Sequence, residues 1–140
     1  MADAKYNIAK SELWKGTFVV LTDTIKIALV TSAYVPNIDT HQFFSDITNE
    51  VVGTGYTAGG ATLASKTVTK DDTNDKGVFD AADVVWTTAT ITARGAVLYK
   101  STGTATTSTL IAYYDFTVDK SSSGGNFTVQ IAATGLATIS

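Results

Sequence analysis

The chain has 140 residues, no cysteine, and 10 Lys and Arg against 13 Asp and Glu for a net charge of −3. At this length one domain is expected to remove roughly two-thirds of the unfolded chain's surface from water, and without cysteine a disulfide framework or thiolate metal site is excluded. A single arginine, Arg94, and an acidic balance argue against direct nucleic-acid binding, which needs clustered Lys and Arg. Twenty-five threonines with many Val, Ile, Tyr and Phe favour pleated, half-buried surfaces, so an all-β fold is expected over residues 1–140. In chain order, "ADAKYNIAKSELW" reads either as a short helix or as an extended arm over residues 1–14 that docks on a neighbour. It has no secretory-signal pattern, and the longest apolar run of the chain is only residues 110–114, so no membrane span and no membrane partner are expected.

"TFVVL" and "TIKIALVTS" flank Thr22 and Asp23 and read as a hairpin, with Ile25, Ile27 and Leu29 on one face and Lys26 on the other. Pro36, the only proline, precedes "DTHQFFSDIT", where Asp39 as cap, Gln42 three residues on, and the stripe Phe43, Phe44 and Ile47 predict a short helix. The loop "GTGYTAGG", residues 53–60, holds four of the chain's eleven glycines, and "ATLASKTVTKDD" after it reads as a strand. "TATITARGAVLYK" places Ile91, Ala93, Val97 and Tyr99 opposite Thr90, Thr92, Arg94 and Lys100. "LIAYYDFTV" places Leu110, Ala112, Tyr114, Phe116 and Val118 on a second inward face, and these two strands are expected to pair. "KSTGTATTST" is a polar tip and "KSSSGGN" a further turn before "FTVQIA", whose Phe127, Val129 and Ile131 face inward; "LATIS" adds a last strand. Seven to nine strands at these spacings predict a single-domain β-sandwich or jelly-roll-like fold with one or two short helices.

Four glycines in eight residues suit either a phosphate cradle or close packing of backbone on backbone. A dinucleotide loop needs a strand before and a helix after, and here "EVV" is short while a strand-like, Thr-rich segment follows; the Gly-Lys-Ser/Thr of a P-loop is also missing. "DDTNDKGVFDAAD" sets Asp72, Asn74 and Gly77 at EF-hand-like spacing, yet Lys76 falls on a ligand position and the terminal Glu is absent, which favours an acidic solvated turn. The sole histidine, His41, has Asp39 and Asp46 near it in sequence, but nothing marks an activated hydroxyl and no Gly-x-Ser-x-Gly or His-Glu-x-x-His occurs. No catalytic, cofactor-binding or metal-ligating residue is therefore assigned, and the chain is not expected to be an enzyme. Trp14 and Trp86 suit either sugar stacking or core and interface anchoring.

The strings "LWKGTFVVLTDTIKIALVTSAYVPNIDTHQFFSDITNEVVGTGYTAGGATLASKTVT" and "FDAADVVWTTATITARGAVLYKSTGTATTSTLIAYYDF" resemble a widespread family of small structural proteins of tailed-bacteriophage virions. The marks are residues 23–26, 34–41, the Gly-Tyr-Thr-Ala-Gly-Gly loop, 80–86 and 93–99. The resemblance covers roughly residues 13–116. It implies a particle component assembled in the bacterial cytoplasm. A capsid decoration or cement protein on the virion surface, binding the major capsid protein and itself as a homotrimer, is the expectation drawn from it. A tail, neck or fibre-associated protein, or a carbohydrate-binding module, are the alternatives. Trp14, Tyr34, Gly53, Gly55, Tyr56, Gly59 and Gly60 form the candidate interface set.

Overall fold

A computed structural model describes residues 3–132 and 134–139. The strands are β1 (Ala4–Lys5), β2 (Ile25–Val30), β3 (Ala61–Thr62), β4 (Thr67–Asp71), β5 (Lys76–Asp80), β6 (Val84–Lys100), β7 (Leu110–Val129) and β8 (Ala137–Ile139). One helix, α1 (Asn7–Lys15), follows β1. The strands form an antiparallel five-stranded sheet in the order β1-β7-β6-β2-β3 and an antiparallel three-stranded sheet in the order β4-β5-β8. The expected all-β, sandwich-like fold is what forms.

The interior strand β2 is apolar on both faces, and the structure accounts for this with two cores. Ile25, Ile27 and Leu29 join Trp86, Ile91, Leu98 and Ala112 of the large sheet and Phe79 of the small one. Ala28 and Val30 join Tyr6, Tyr34, Val97, Tyr99, Leu110 and Tyr113 on the opposite side, where Ile38, Phe44 and Ile47 pack over them. Residues 31–48 thus cover a second face of the sheet, and a strand buried on both faces loses the simple alternation of a half-exposed one.

Four sequence expectations are corrected. Residues 17–24 are irregular backbone with a turn at 20–22, and not a strand. Asp23 accepts the Val19 N–H at 2.8 Å, Lys100 donates to the Thr17 carbonyl at 2.6 Å, and β6 and β3 already occupy the two edges of β2. The helix expected from Asp39 shrinks to a 3-10 turn at Phe44–Asp46. There the backbone bonds outward: Leu110 N–H donates to the Gln42 carbonyl at 2.9 Å and Phe44 N–H to the Ser108 carbonyl at 2.8 Å. The Asp46 carboxylate accepts the Gln42 and Phe43 N–H groups, the kind of local side-chain bond that competes with a helix, and those donors hold its pKa below the usual value.

The third correction concerns "KSSSGGN", which lies inside β7 rather than in a turn. Ser121 and Ser122 pair with Thr92 and Ile91, and Ser122 Oγ donates to the Ala89 carbonyl at 2.8 Å. β6 and β7 therefore make one long ribbon, kinked by register shifts such as that between Ala93 and Gly95. Another shift, at Leu98 and Tyr99, moves Leu110 to the face of Tyr113 while Ala112 and Tyr114 keep the other, so the single inward face expected of this strand is split. The N-terminal segment, finally, forms the short helix, and the extended residues before it, β1, dock on β7 of their own chain where an arm was expected to dock on a neighbour; α1 ends at Gly16 in the left-handed conformation, whose N–H donates to the Leu13 and Glu12 carbonyls.

Candidate functional site

The glycine loop packs backbone on backbone within the fold. A Cβ on Gly60 would stand 1.9 Å from the Ile27 carbonyl oxygen, and one on Gly55 2.7 Å from Ala89 Cα, so the loop lies directly on β2 and β6. Gly53 meets the Thr90 carbonyl oxygen in the same way, at 2.5 Å, and Thr90 N–H donates to the Thr54 carbonyl at 2.9 Å.

Between these contacts sits a polar cluster built on Glu50. Its Oε1 accepts the Tyr56 hydroxyl at 2.7 Å and the Gly59 N–H at 2.6 Å. The Tyr56 hydroxyl in turn accepts the Leu29 N–H at 2.9 Å, and Tyr99 donates to the Gly59 carbonyl at 2.6 Å. Burial pushes the Tyr56 hydroxyl well above the ordinary phenol value, the Leu29 N–H opposes that rise, and the Glu50 carboxylate adds to it. Burial, and then Glu50, raise Tyr99 to about 12. A phosphate cradle needs free amides and no competing anion. Here the Gly59 N–H is taken by a carboxylate and the Gly60 N–H by the Thr57 carbonyl, and that carboxylate would repel a phosphate.

The other candidate residues fall in different places. Tyr34 is 3% exposed, so its ring serves the second core and not an open surface. Its hydroxyl shares a bond with Tyr6 at 2.7 Å and meets His41 Nδ1 at 2.9 Å; Asn37 N–H also donates to that nitrogen. His41 is thereby anchored by a tyrosine, while Asp39 accepts from Asn7 at 2.6 Å and Asp46 from backbone amides. Trp86, at 7% exposure, is a core residue beside Tyr56 and Phe127, which removes it as a sugar platform. Trp14 is the opposite case: it stands 94% exposed on the last turn of α1. Beside α1 lies an apolar cavity of about 170 Å3 lined by Leu13, Phe18, Val20, Val68, Phe79 and Ile139.

The acidic turn is closed by its own side chains. Asp71 Oδ1 accepts the Thr73 and Asn74 N–H groups, Asp72 pairs with Lys70 at 2.7 Å, Asp80 accepts the Ala81 N–H and Asp83 the Ile131 N–H. With these carboxylates already engaged as acceptors, chelation by EDTA is expected to leave the melting temperature unchanged. A drop of several degrees restored by calcium would reverse that conclusion, because a bound ion stabilises by mass action.

Sequence reasoning missed Glu50 as the centre of the loop's polar cluster and Tyr6 as a fully buried core residue. No local pattern marks Glu50, which sits in a polar stretch before two valines. Tyr6 had a weak signal in its place at the start of a short amphipathic segment. Neither a family model, nor a curated protein, nor a solved structure matches the chain.

Proposed function

We propose that the chain is a structural protein of a tailed-bacteriophage virion, a decoration protein that binds the major capsid protein on the particle surface as a homotrimer. The sequence resemblance motivates the reading, and the observation that carries it is the exposed Trp14 on α1, whose half-exposed chain neighbour Leu13 lines an apolar cavity together with half-exposed Ile139. Large aromatic side chains held in water on a firm scaffold are typical anchors of protein interfaces. The long β6–β7 ribbon and the two-sided core supply such a scaffold. A trimer would meet several coat subunits at once and gain avidity from modest individual contacts.

Trp14→Ala tests this directly. Little of the ring is buried, so the melting temperature of the isolated protein should change by no more than about 0.5 kcal/mol's worth of stability. Binding to capsid shells lacking the protein should weaken at least tenfold, or about 1.4 kcal/mol. Unchanged shell binding would remove Trp14 from the interface. A monomer by light scattering at high concentration would remove the trimer. A map of the purified particle that placed the chain on the tail or neck would replace the capsid assignment.

A further inference from the structure

Among the described residues, β1 and β8 are terminal strands of their sheets, each paired on one side only. Both border the same cleft of about 510 Å3, lined by Ala4 and Lys5 from β1 and by Ala137 and Thr138 from β8. An unpaired strand edge presents a row of N–H and C=O groups that only water or another strand can satisfy. Two such edges on one cleft offer a place for a strand that neither sheet supplies.

The cleft also has a charge opposite to that of the molecule. In a chain of net charge −3, Lys5, Lys10 and Lys76 all line it. Lys10 donates to the neutral Asn7 side chain at 2.8 Å, and Lys76 faces Asp71, whose carboxylate is already bonded within its turn. Among the described residues one carboxylate, Asp3, lines the cleft, and its Oδ1 accepts the Asp115 N–H at 2.9 Å. The apolar cavity beside α1 shares Lys5, Lys10, Ala137 and Thr138 with the cleft, so the cationic and apolar regions adjoin. An extended chain directs successive side chains to opposite sides and can place an apolar and an acidic row at once.

We propose that the cleft bordered by β1 and β8 accepts an extended acidic segment of a partner protein, added as a strand. Its carboxylates lie on Lys5, Lys10 and Lys76, and its apolar side chains enter the adjoining cavity. Main-chain hydrogen bonds supply affinity and the alternating pockets supply selectivity, as in other cases of strand addition. The proposal does not depend on the capsid reading, since it names the chemistry of the occupant and not the particle.

A fluorescein-labelled octapeptide of alternating Glu and Val is the probe, with a Lys-Val octapeptide as its counterpart. Saturable binding of the acidic peptide by anisotropy is expected, weakening as salt rises. It should fall at least tenfold in the variant K5E/K10E/K76E, whose fold is checked by its melting curve. The variant K5Q/K10Q/K76Q serves if the charge reversal does not fold. Bound peptide should also slow amide exchange at Ala137, Thr138 and Ile139, which adhesion through charge alone would not do. The proposal is overturned by absence of saturable binding, by equal binding of the Lys-Val peptide, by a lysine variant that binds as well as the parent, or by unchanged exchange at β8. Self-association of the unliganded protein that the lysine variant abolishes would likewise overturn it, assigning the cleft to a second copy.

Discussion

Gly60→Ala is expected to cost on the order of 4 kcal/mol or more, a large part of the roughly 5–15 kcal/mol that holds a domain of ordinary stability folded. Two effects add. The left-handed backbone at Gly60, φ +77°, costs a residue with a side chain about 1–3 kcal/mol. The new methyl would also lie 1.9 Å from the Ile27 carbonyl oxygen and 2.7 Å from Ala28 Cα. Relief by movement is blocked, because β2 contributes side chains to both cores and β6 holds it by pairs from Ile25 to Val30. Gly103 separates the two effects. It has φ +87° with nothing within 4 Å of its missing Cβ, so Gly103→Ala reports strain alone at about 1 kcal/mol. Gly77, with neither positive φ nor a neighbour in reach, should accept alanine within about 0.5 kcal/mol. Urea midpoints of the three variants check the ranking, and a Gly60→Ala protein as stable as Gly103→Ala would show that the loop can lift off β2.

The sequence showed the strands whose environment is uniform and blurred those whose environment changes along their length. β6 and β7 pair as expected, yet the single inward face read for each is divided, Ile91, Ala93 and Ala112 lying in one core and Val97, Tyr99 and Leu110 in the other, whereas the small β4–β5 hairpin closes over the acidic turn as its composition suggests. The helix expected at residues 39–48 failed for a reason that no window of ten residues contains, namely that its backbone bonds to residues 108 and 110. The "KSSSGGN" segment has the chemistry of a turn, yet the opposing stretch of β6 holds it as a strand through pairing and the Ser122 hydroxyl. In the glycine loop, close backbone packing was legible because the missing Cβ atoms are a property of the residues themselves. That Tyr56 points to Glu50 and Leu29, and Tyr34 to Tyr6, was not, since those partners lie up to 28 residues away and meet only through tertiary packing.

Removing the Tyr56 hydroxyl should destabilise the fold even though the ring remains. In Tyr56→Phe the Leu29 N–H loses its acceptor and Glu50 Oε1 loses a donor in a half-buried site, a cost of about 1–3 kcal/mol. Tyr56→Ala should cost more, about 3–5 kcal/mol, because the ring packs beside Trp86 with centroids 5.8 Å apart and its loss leaves a cavity against the main core. Glu50→Gln combined with Tyr56→Phe should then cost less than the sum of the two single changes, as expected for groups in one hydrogen-bonded cluster. The pH dependence has a definite sign. Burial raises the Tyr56 pKa in the folded chain above its unfolded value near 10, so the stability this group contributes is fully present below about pH 10. Above that pH the unfolded chain loses the proton while the folded chain keeps it, and stability declines as pH rises toward the folded pKa. Burial raises Tyr34 and Tyr99 in the same direction, to about 12 each, so the parent should lose stability steeply in alkali. Tyr56→Phe removes one of these groups and should flatten the decline above pH 10 by up to about 1.4 kcal/mol per pH unit. Denaturation midpoints of parent and variant between about pH 8 and 11 measure the difference. Parallel curves, or a Tyr56→Phe protein within about 0.5 kcal/mol of the parent at neutral pH, would show that the Leu29–Tyr56–Glu50 chain does not hold the glycine loop to the sheet.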